Sequence, residues 1–151
     1  MVVREATVDD LDSYIELSIE FHKASPMSEV SEFEEESFKQ FLISSIDNPD
    51  IVIVLAELNN KIVGITGALV YPLYFSPSTK VSQELWWWLT PEARGSGAGK
   101  GMYDYIEKWA KNKQAKAVFM IALEDEKVNK MTKLYHRFGY KGLERTFIKE
   151  I

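Results

Sequence analysis

The chain has 151 residues, the length of one ordinary domain, and 46% of them are apolar, so we expect a single folded unit over 1–151. Lys plus Arg number 18 against 23 Asp plus Glu, a net charge of −5 that argues against nucleic-acid binding and mildly favours a cationic or amine partner. Cysteine is absent, which excludes disulfide scaffolds, thiol nucleophiles, Cys-based zinc sites and iron–sulfur clusters.

Residues 2–6 read as a short strand. Thr7 stands three residues before Asp10, a carboxylate form of the capping box, and predicts a helix start. Leu11, Tyr14, Ile15, Ser18, Ile19 and His22 follow at helical spacing, and Pro26 marks the end. Ser31 with Glu34 predicts a second helix, whose apolar face is Phe38, Phe41, Leu42 and Ile46 and whose stop is Asn48-Pro49. The continuous β-branched run at 51–56 predicts a strand buried on both faces. Asn59-Asn60 is a turn signal, and 61–71 reads as the returning arm of a hairpin. A loop is expected at 72–78, a long strand at 81–89 and a glycine-rich turn at 94–101. Next comes a helix with Met102, Tyr105, Ile106 and Trp109 on one face. A strand over 116–123, a helix over 126–138 stopped by Gly139, and a final strand or hairpin arm over 140–150 complete the chain. This order, β-α-α-β-β-β-α-β-α-β, predicts an α/β or α+β-like fold. We expect a central mixed, mostly antiparallel twisted sheet flanked by helices.

The most informative stretch is the turn Arg94-Gly95-Ser96-Gly97-Ala98-Gly99-Lys100-Gly101. A strand runs into four glycines within seven residues, and a helix starts inside them. The first turn of a helix has unpaired N–H groups and the positive end of its dipole, and glycines let an anion approach that backbone. Strand, glycine turn and helix together make a phosphate cradle. Two phosphate motifs fail on it. A Walker A loop ending at Gly99-Lys100 needs glycine at Arg94 and a hydroxyl at Gly101. The dinucleotide pattern Gly-x-Gly-x-x-Gly meets Lys100 or Met102 where its third glycine belongs.

Arg94-x-x-Gly97-x-Gly99 resembles the acyl-CoA loop of the GNAT superfamily of N-acyltransferases. The lead-in Leu89-x-Pro91-Glu92-x-Arg94-Gly95 is similar to that family's strand end. Leu134-Tyr135-x-x-Phe138-Gly139-Tyr140 resembles its C-terminal Leu-Tyr signature. The element order matches too, so the resemblance covers essentially the whole chain. The Asn that many members carry seven residues before the Tyr is Val128 here, with Asn129 one place away.

The resemblance implies an acetyl-CoA-dependent N-acetyltransferase that moves an acetyl group to a primary amine by direct attack. Backbone amides over Arg94, Gly95, Ser96, Gly97, Ala98, Gly99 and Lys100 are then the pyrophosphate site. The strand near Trp87 and Leu89 takes the pantetheine arm like an added strand, in a slot made by a splayed strand pair. Tyr135 matches the family's general acid near the sulfur. Glu84, on the strand that ends in the glycine turn, is the candidate base, acting directly or through water. The plainer reading of Glu84 is a solvent-facing or salt-bridged strand residue. The acceptor, a small amine or a protein amine, is left open. An alternative function is a CoA-responsive binding or interaction module on the same fold.

The remaining features carry less. Trp86-Trp87-Trp88 reads either as a stacking platform or as core packing on both sheet faces, with Trp87 opposite its neighbours. Glu29, Glu32, Glu34, Glu35 and Glu36 either draw a cationic acceptor or form a solvated helix start. The loop with Tyr74 and Phe75 is a candidate acceptor wall, homodimer contact or packed loop. His22 and His136 stay unassigned, and no metal site is expected. No 18-residue apolar run occurs and the N-terminus does not read as a signal peptide, so no membrane partner and a cytoplasmic location are expected.

Overall fold

The computed structural model describes residues 1–125, 127–149 and 151. In chain order the elements are β1 (Val2–Glu5), α1 (Leu11–Ala24), α2 (Glu35–Ile46), β2 (Ile51–Leu58) and β3 (Lys61–Leu73). They continue with β4 (Ser76–Leu89), α3 (Ala98–Asn112), β5 (Val118–Phe119) and α4 (Val128–Arg137). The five strands form one open sheet in the order β1-β2-β3-β4-β5. The first three pairs are antiparallel and β4–β5 is parallel. The result is the mixed, mostly antiparallel α/β architecture expected from the sequence.

The β2 run is apolar throughout because both its faces are covered. Ile53 and Leu55 pack with Leu11, Tyr14, Ile15 and Leu42 from α1 and α2. Val52, Val54 and Ala56 face the other way, into clusters that hold Ile106 and Met102 of α3. Asn59 and Asn60 both take positive φ, as a two-residue hairpin turn of the right twist demands. The capping residues at the first helix also act as read. The Asp10 carboxylate accepts the Thr7 N–H at 2.8 Å, and it holds two guanidinium nitrogens of Arg4 at 2.7 and 2.8 Å. That pairing keeps the Asp10 carboxyl well below the usual carboxylate range.

Five boundaries differ from expectation. The second helix starts at Glu35, with extended Glu34 as its cap residue and the Ser37 hydroxyl donating to the Glu34 carboxylate at 2.8 Å. Segment 72–78 is not a loop: β3 runs to Leu73 and β4 resumes at Ser76, so Tyr74 and Phe75 form the tip of one long hairpin. Their rings lie 4.2 Å apart and are largely exposed. The strand expected over 116–123 pairs only at Val118 and Phe119. The tail over 140–149 forms no strand; side chains tie it to the body, the Tyr140 hydroxyl donating to Glu107 and the Arg145 Nε to Glu124, each at 2.7 Å. The helix expected over 126–138 is α4, from Val128 to Arg137, and Glu126 lies outside the described residues.

Candidate active site

The site begins with one extra residue in β4. Gly67 pairs with Trp86 and Ala68 pairs with Glu84, so Leu85 has no opposite number and forms a bulge. Strict alternation would place Glu84 with Trp86 and Trp88. The bulge moves it instead to the face that carries Trp87. Trp86 packs among Tyr14, Phe38 and Phe41, and Trp88 against Phe21, on the α1/α2 side. Trp87 stacks on Tyr103 of α3 with ring centroids 5.4 Å apart. The tryptophan triplet is therefore core packing on both faces. A chain of hydrogen bonds pins the bulge. The Trp86 indole donates to the Tyr14 hydroxyl, Tyr14 donates to the Thr66 carbonyl, and the Thr66 hydroxyl donates to the Trp86 carbonyl, each at 2.8 Å.

Beyond the bulge the sheet opens. β5 pairs with β4 only through Ser82–Val118 and Gln83–Phe119. From Glu84 to Leu89 the β5-facing edge of β4 has no strand partner among the described residues. The Glu84 side chain explains why the ladder stops. Its Oε2 accepts the Ile121 N–H at 3.0 Å, taking the donor that a β4 carbonyl would otherwise receive. The Ile121 carbonyl in turn accepts the Tyr135 hydroxyl at 2.7 Å. One residue of backbone thus joins the two side chains that the resemblance singled out.

Glu84 is neither solvent-facing nor salt-bridged. It is only 3% exposed, and burial pushes its carboxyl up to about 7, against the opposing effect of the Ile121 N–H. Burial also raises Tyr135 well above the ordinary phenol value, and the Glu84 charge adds to it. A carboxyl near neutrality beside a firmly protonated phenol is a base and a hydrogen-bond donor held within one buried cluster.

The glycine turn stands at the other end of the open edge. Gly95 and Gly97 take φ of 86° and 91°, and Gly97 is the cap residue of α3. Gly99 meets a different demand: a Cβ there would lie 2.9 Å from Cζ2 of Trp87. The amides of Arg94 and Ser96 donate to the carbonyls of Pro91 and Ala93, and the Ala98 amide donates to the Ser96 hydroxyl. Gly95 and Gly97 have no acceptor among the described residues, and Gly99 and Lys100 lie in the first helical turn, where N–H groups lack intrahelical partners. These four amides are free to meet an anion. The Arg94 Nε donates to the Leu89 carbonyl at 3.4 Å and its guanidinium lies 5.4 Å from the Trp88 ring centre, so the side chain braces the turn. Lys100 folds back onto Asp104 at 2.6 Å.

The other candidates lie elsewhere. His22 packs on Phe33, and His136 contacts the Tyr140 carbonyl at the end of α4. No cluster of three or more metal-ligating side chains occurs among the described residues. No helix of the described residues is long and apolar enough to cross a membrane. The glutamates from Glu29 to Glu36 are exposed at the entry to α2. Sequence reasoning missed three participants: Leu85, the Ile121 backbone and Tyr103. Tyr103 stands three residues before Ile106 and four after Gly99, and that spacing was a usable signal for the buried stripe.

These features coincide with a known family. The model of the GNAT acetyltransferase family matches residues 13–140, and the chain belongs to that family. A search of curated proteins finds no match. Solved structures share the fold. An aminoglycoside antibiotic 6'-N-acetyltransferase from Acinetobacter haemolyticus is 17% identical over 100% of this chain and 99% of that one, with TM-score 0.76. AAC(6')-Iy in complex with the bisubstrate analog CoA-S-monomethyl-acetylneamine is 13% identical over 99% and 97%, with TM-score 0.80. A ribosomal-protein-alanine N-acetyltransferase from Brucella melitensis is 12% identical over 100% of both chains, with TM-score 0.75.

Proposed function

We propose that this protein transfers the acetyl group of acetyl-CoA to a primary amine by direct attack. The observation that carries this reading is the open edge of β4. It runs from the buried Glu84–Tyr135 cluster to four unengaged amides at the glycine turn. A diphosphate seated on the amides of Gly95, Gly97, Gly99 and Lys100 leaves its extended arm to lie along Leu89 and Trp87 as an added strand. The thioester then reaches the bulge. Trp87, Leu89, Arg94, Ser96 and Ala98 shape that path.

Glu84 takes the proton that the amine nitrogen loses, directly or through one water. The C–N bond forms as the C–S bond breaks, and Tyr135 donates its hydroxyl proton to the departing sulfur. No acyl-enzyme is required, in keeping with a chain that has no cysteine. The acceptor belongs to the amine class that the aminoglycoside and protein-alanine acetyltransferases named above represent.

The test is release of free thiol from acetyl-CoA with a panel holding an aminoglycoside, a polyamine and an N-terminal alanine peptide. Turnover with at least one amine is expected, and Tyr135→Phe should lower kcat by about 10²-fold. CoA binding without turnover on any amine would instead assign the chain to the binding-module class.

A further inference from the structure

Tyr103 lies at the centre of the cluster and has no role in the reading above. It is 2% exposed, and its hydroxyl is buried without a hydrogen-bond partner. Trp87 stacks on one face of its ring, Phe138 meets it at 5.1 Å, and the Tyr135 ring meets it edge-on at 5.7 Å. The titratable groups it faces are Tyr135, Glu84 and Tyr140, from α4, β4 and the segment after α4. A buried hydroxyl left unpaired destabilises a fold, and phenylalanine would fill the same space without that cost. The hydroxyl therefore needs an explanation other than packing.

We propose that Tyr103 is a positioning residue for Tyr135: its hydroxyl donates to the Tyr135 oxygen once that oxygen gives its own proton to the leaving sulfur. In the resting arrangement Tyr135 donates to the Ile121 carbonyl, so its proton is held away from any substrate. Turning that proton to sulfur creates a phenolate in a buried site, where it is costly without a donor. Tyr103, whose ring meets that of Tyr135 edge-on at 5.7 Å and whose hydroxyl is uncommitted, can supply that donor.

The bonds balance. The Tyr135 O–H breaks and an S–H forms. The Tyr135 phenolate, held by the Tyr103 hydroxyl, then takes a proton from water as Glu84 releases to water the one it took from nitrogen. Glu84 returns to carboxylate, both tyrosines are again neutral, and one proton has moved from nitrogen to sulfur.

This inference rests on the acetyltransferase reading, and its test separates the two. The probe is CoA itself, whose bound thiol is titrated by thiolate absorbance in the wild type and in Tyr103→Phe. Binding of CoA by the wild type, with the bound thiol ionising about one pH unit higher in the variant, is the expected result. The variant should melt at the same or a higher temperature and lose about tenfold in kcat, with the KM for acetyl-CoA little changed. A wild type that binds no CoA sinks the acetyltransferase reading. A wild type that binds CoA, paired with a variant of identical thiol titration, overturns the role of Tyr103 alone. So does a variant of lower melting temperature, because the hydroxyl then has a structural partner.

Discussion

Glu84 gives the sharpest test, because its chemistry and its stability effect point in opposite directions. Glu84→Gln keeps the shape and an oxygen that can accept the Ile121 N–H, and it removes the charge. The ordinary carboxyl value is 4.5 and burial pushes the folded value up to about 7. Between these values the folded state binds a proton that the unfolded state has released. Stability therefore falls as pH rises through this window and is level above it. At about 1.4 kcal/mol per pH unit, the gap amounts to roughly 3 kcal/mol. Asp10 works in the opposite sense and at lower pH: its carboxyl is depressed by Arg4, so its contribution is lost only as pH falls below the ordinary carboxyl range. The two windows do not overlap. Urea unfolding of both proteins at about pH 5 and about pH 8 reads the effect. The wild type should lose as much as about 3 kcal/mol on going to the higher pH, whereas Glu84→Gln should be nearly flat and more stable there. The same variant should lose about 10²-fold or more in acetyl transfer. A wild type whose stability is level or rises across the window, or a variant that parallels it, refutes the buried-base argument.

Two further predictions concern glycines. Gly97→Asp places a carboxylate against the diphosphate site, in space where a Cβ meets nothing within 4 Å. Repulsion on the order of 3 kcal/mol should weaken CoA binding about a hundredfold by calorimetry, while unfolding changes by about 1 kcal/mol for the left-handed backbone. Unchanged affinity would show that the anion sits elsewhere. Gly67→Ala sets a methyl 2.7 Å from Cζ2 of Trp86, whose indole is tied to Tyr14 and cannot easily swing away. The expected cost is about 1–3 kcal/mol in urea unfolding with CoA affinity retained, and an unshifted unfolding midpoint would contradict this packing.

What the sequence showed and what it hid follow a physical division. The conformation of the glycine turn was legible because glycines at fixed offsets announce a left-handed backbone ahead of a helix. The β2 run was legible because burial on both faces leaves a continuous apolar signature. Segment 116–123 carries the same kind of apolar signature, yet it pairs for only two residues. There the ladder ends because the side chain of Glu84, 37 residues away in sequence, captures the Ile121 N–H, and no local pattern reports that. The Tyr74–Phe75 tip was hidden for a related reason: Pro72 suggested a break, but the register irregularity between Pro72 and Leu73 absorbs it and the hairpin continues. On α3 the apolar face was expected at Met102, Tyr105, Ile106 and Trp109. The buried stripe is Ala98, Met102, Tyr103, Ile106 and Ala110. Small residues at both ends let the helix sit close to the sheet, and Tyr103 rather than Tyr105 turns inward.

Leu85 ties these points together. A bulge leaves no compositional mark, since it depends on how many residues the partner strand supplies. Without it, Glu84 would join Trp86 among the phenylalanines of α1 and α2, far from Tyr135. With it, the carboxylate crosses to the α3 face at the point where β5 leaves the sheet. The same kink therefore sets the face of the Glu84 carboxyl, ends the ladder and leaves the edge of β4 open. The energetic asymmetry between the faces fits this. On the α1 side the Trp86 indole and the Tyr14 hydroxyl are paired, through to the Thr66 carbonyl. On the α3 side a buried carboxylate, an unpaired phenol on Tyr103 and an unpaired indole N–H on Trp87 gather beside the opening. Three such destabilising groups thus stand together beside the open edge. A protein that only needed to fold would gain from replacing Glu84 and Tyr103 with Gln and Phe.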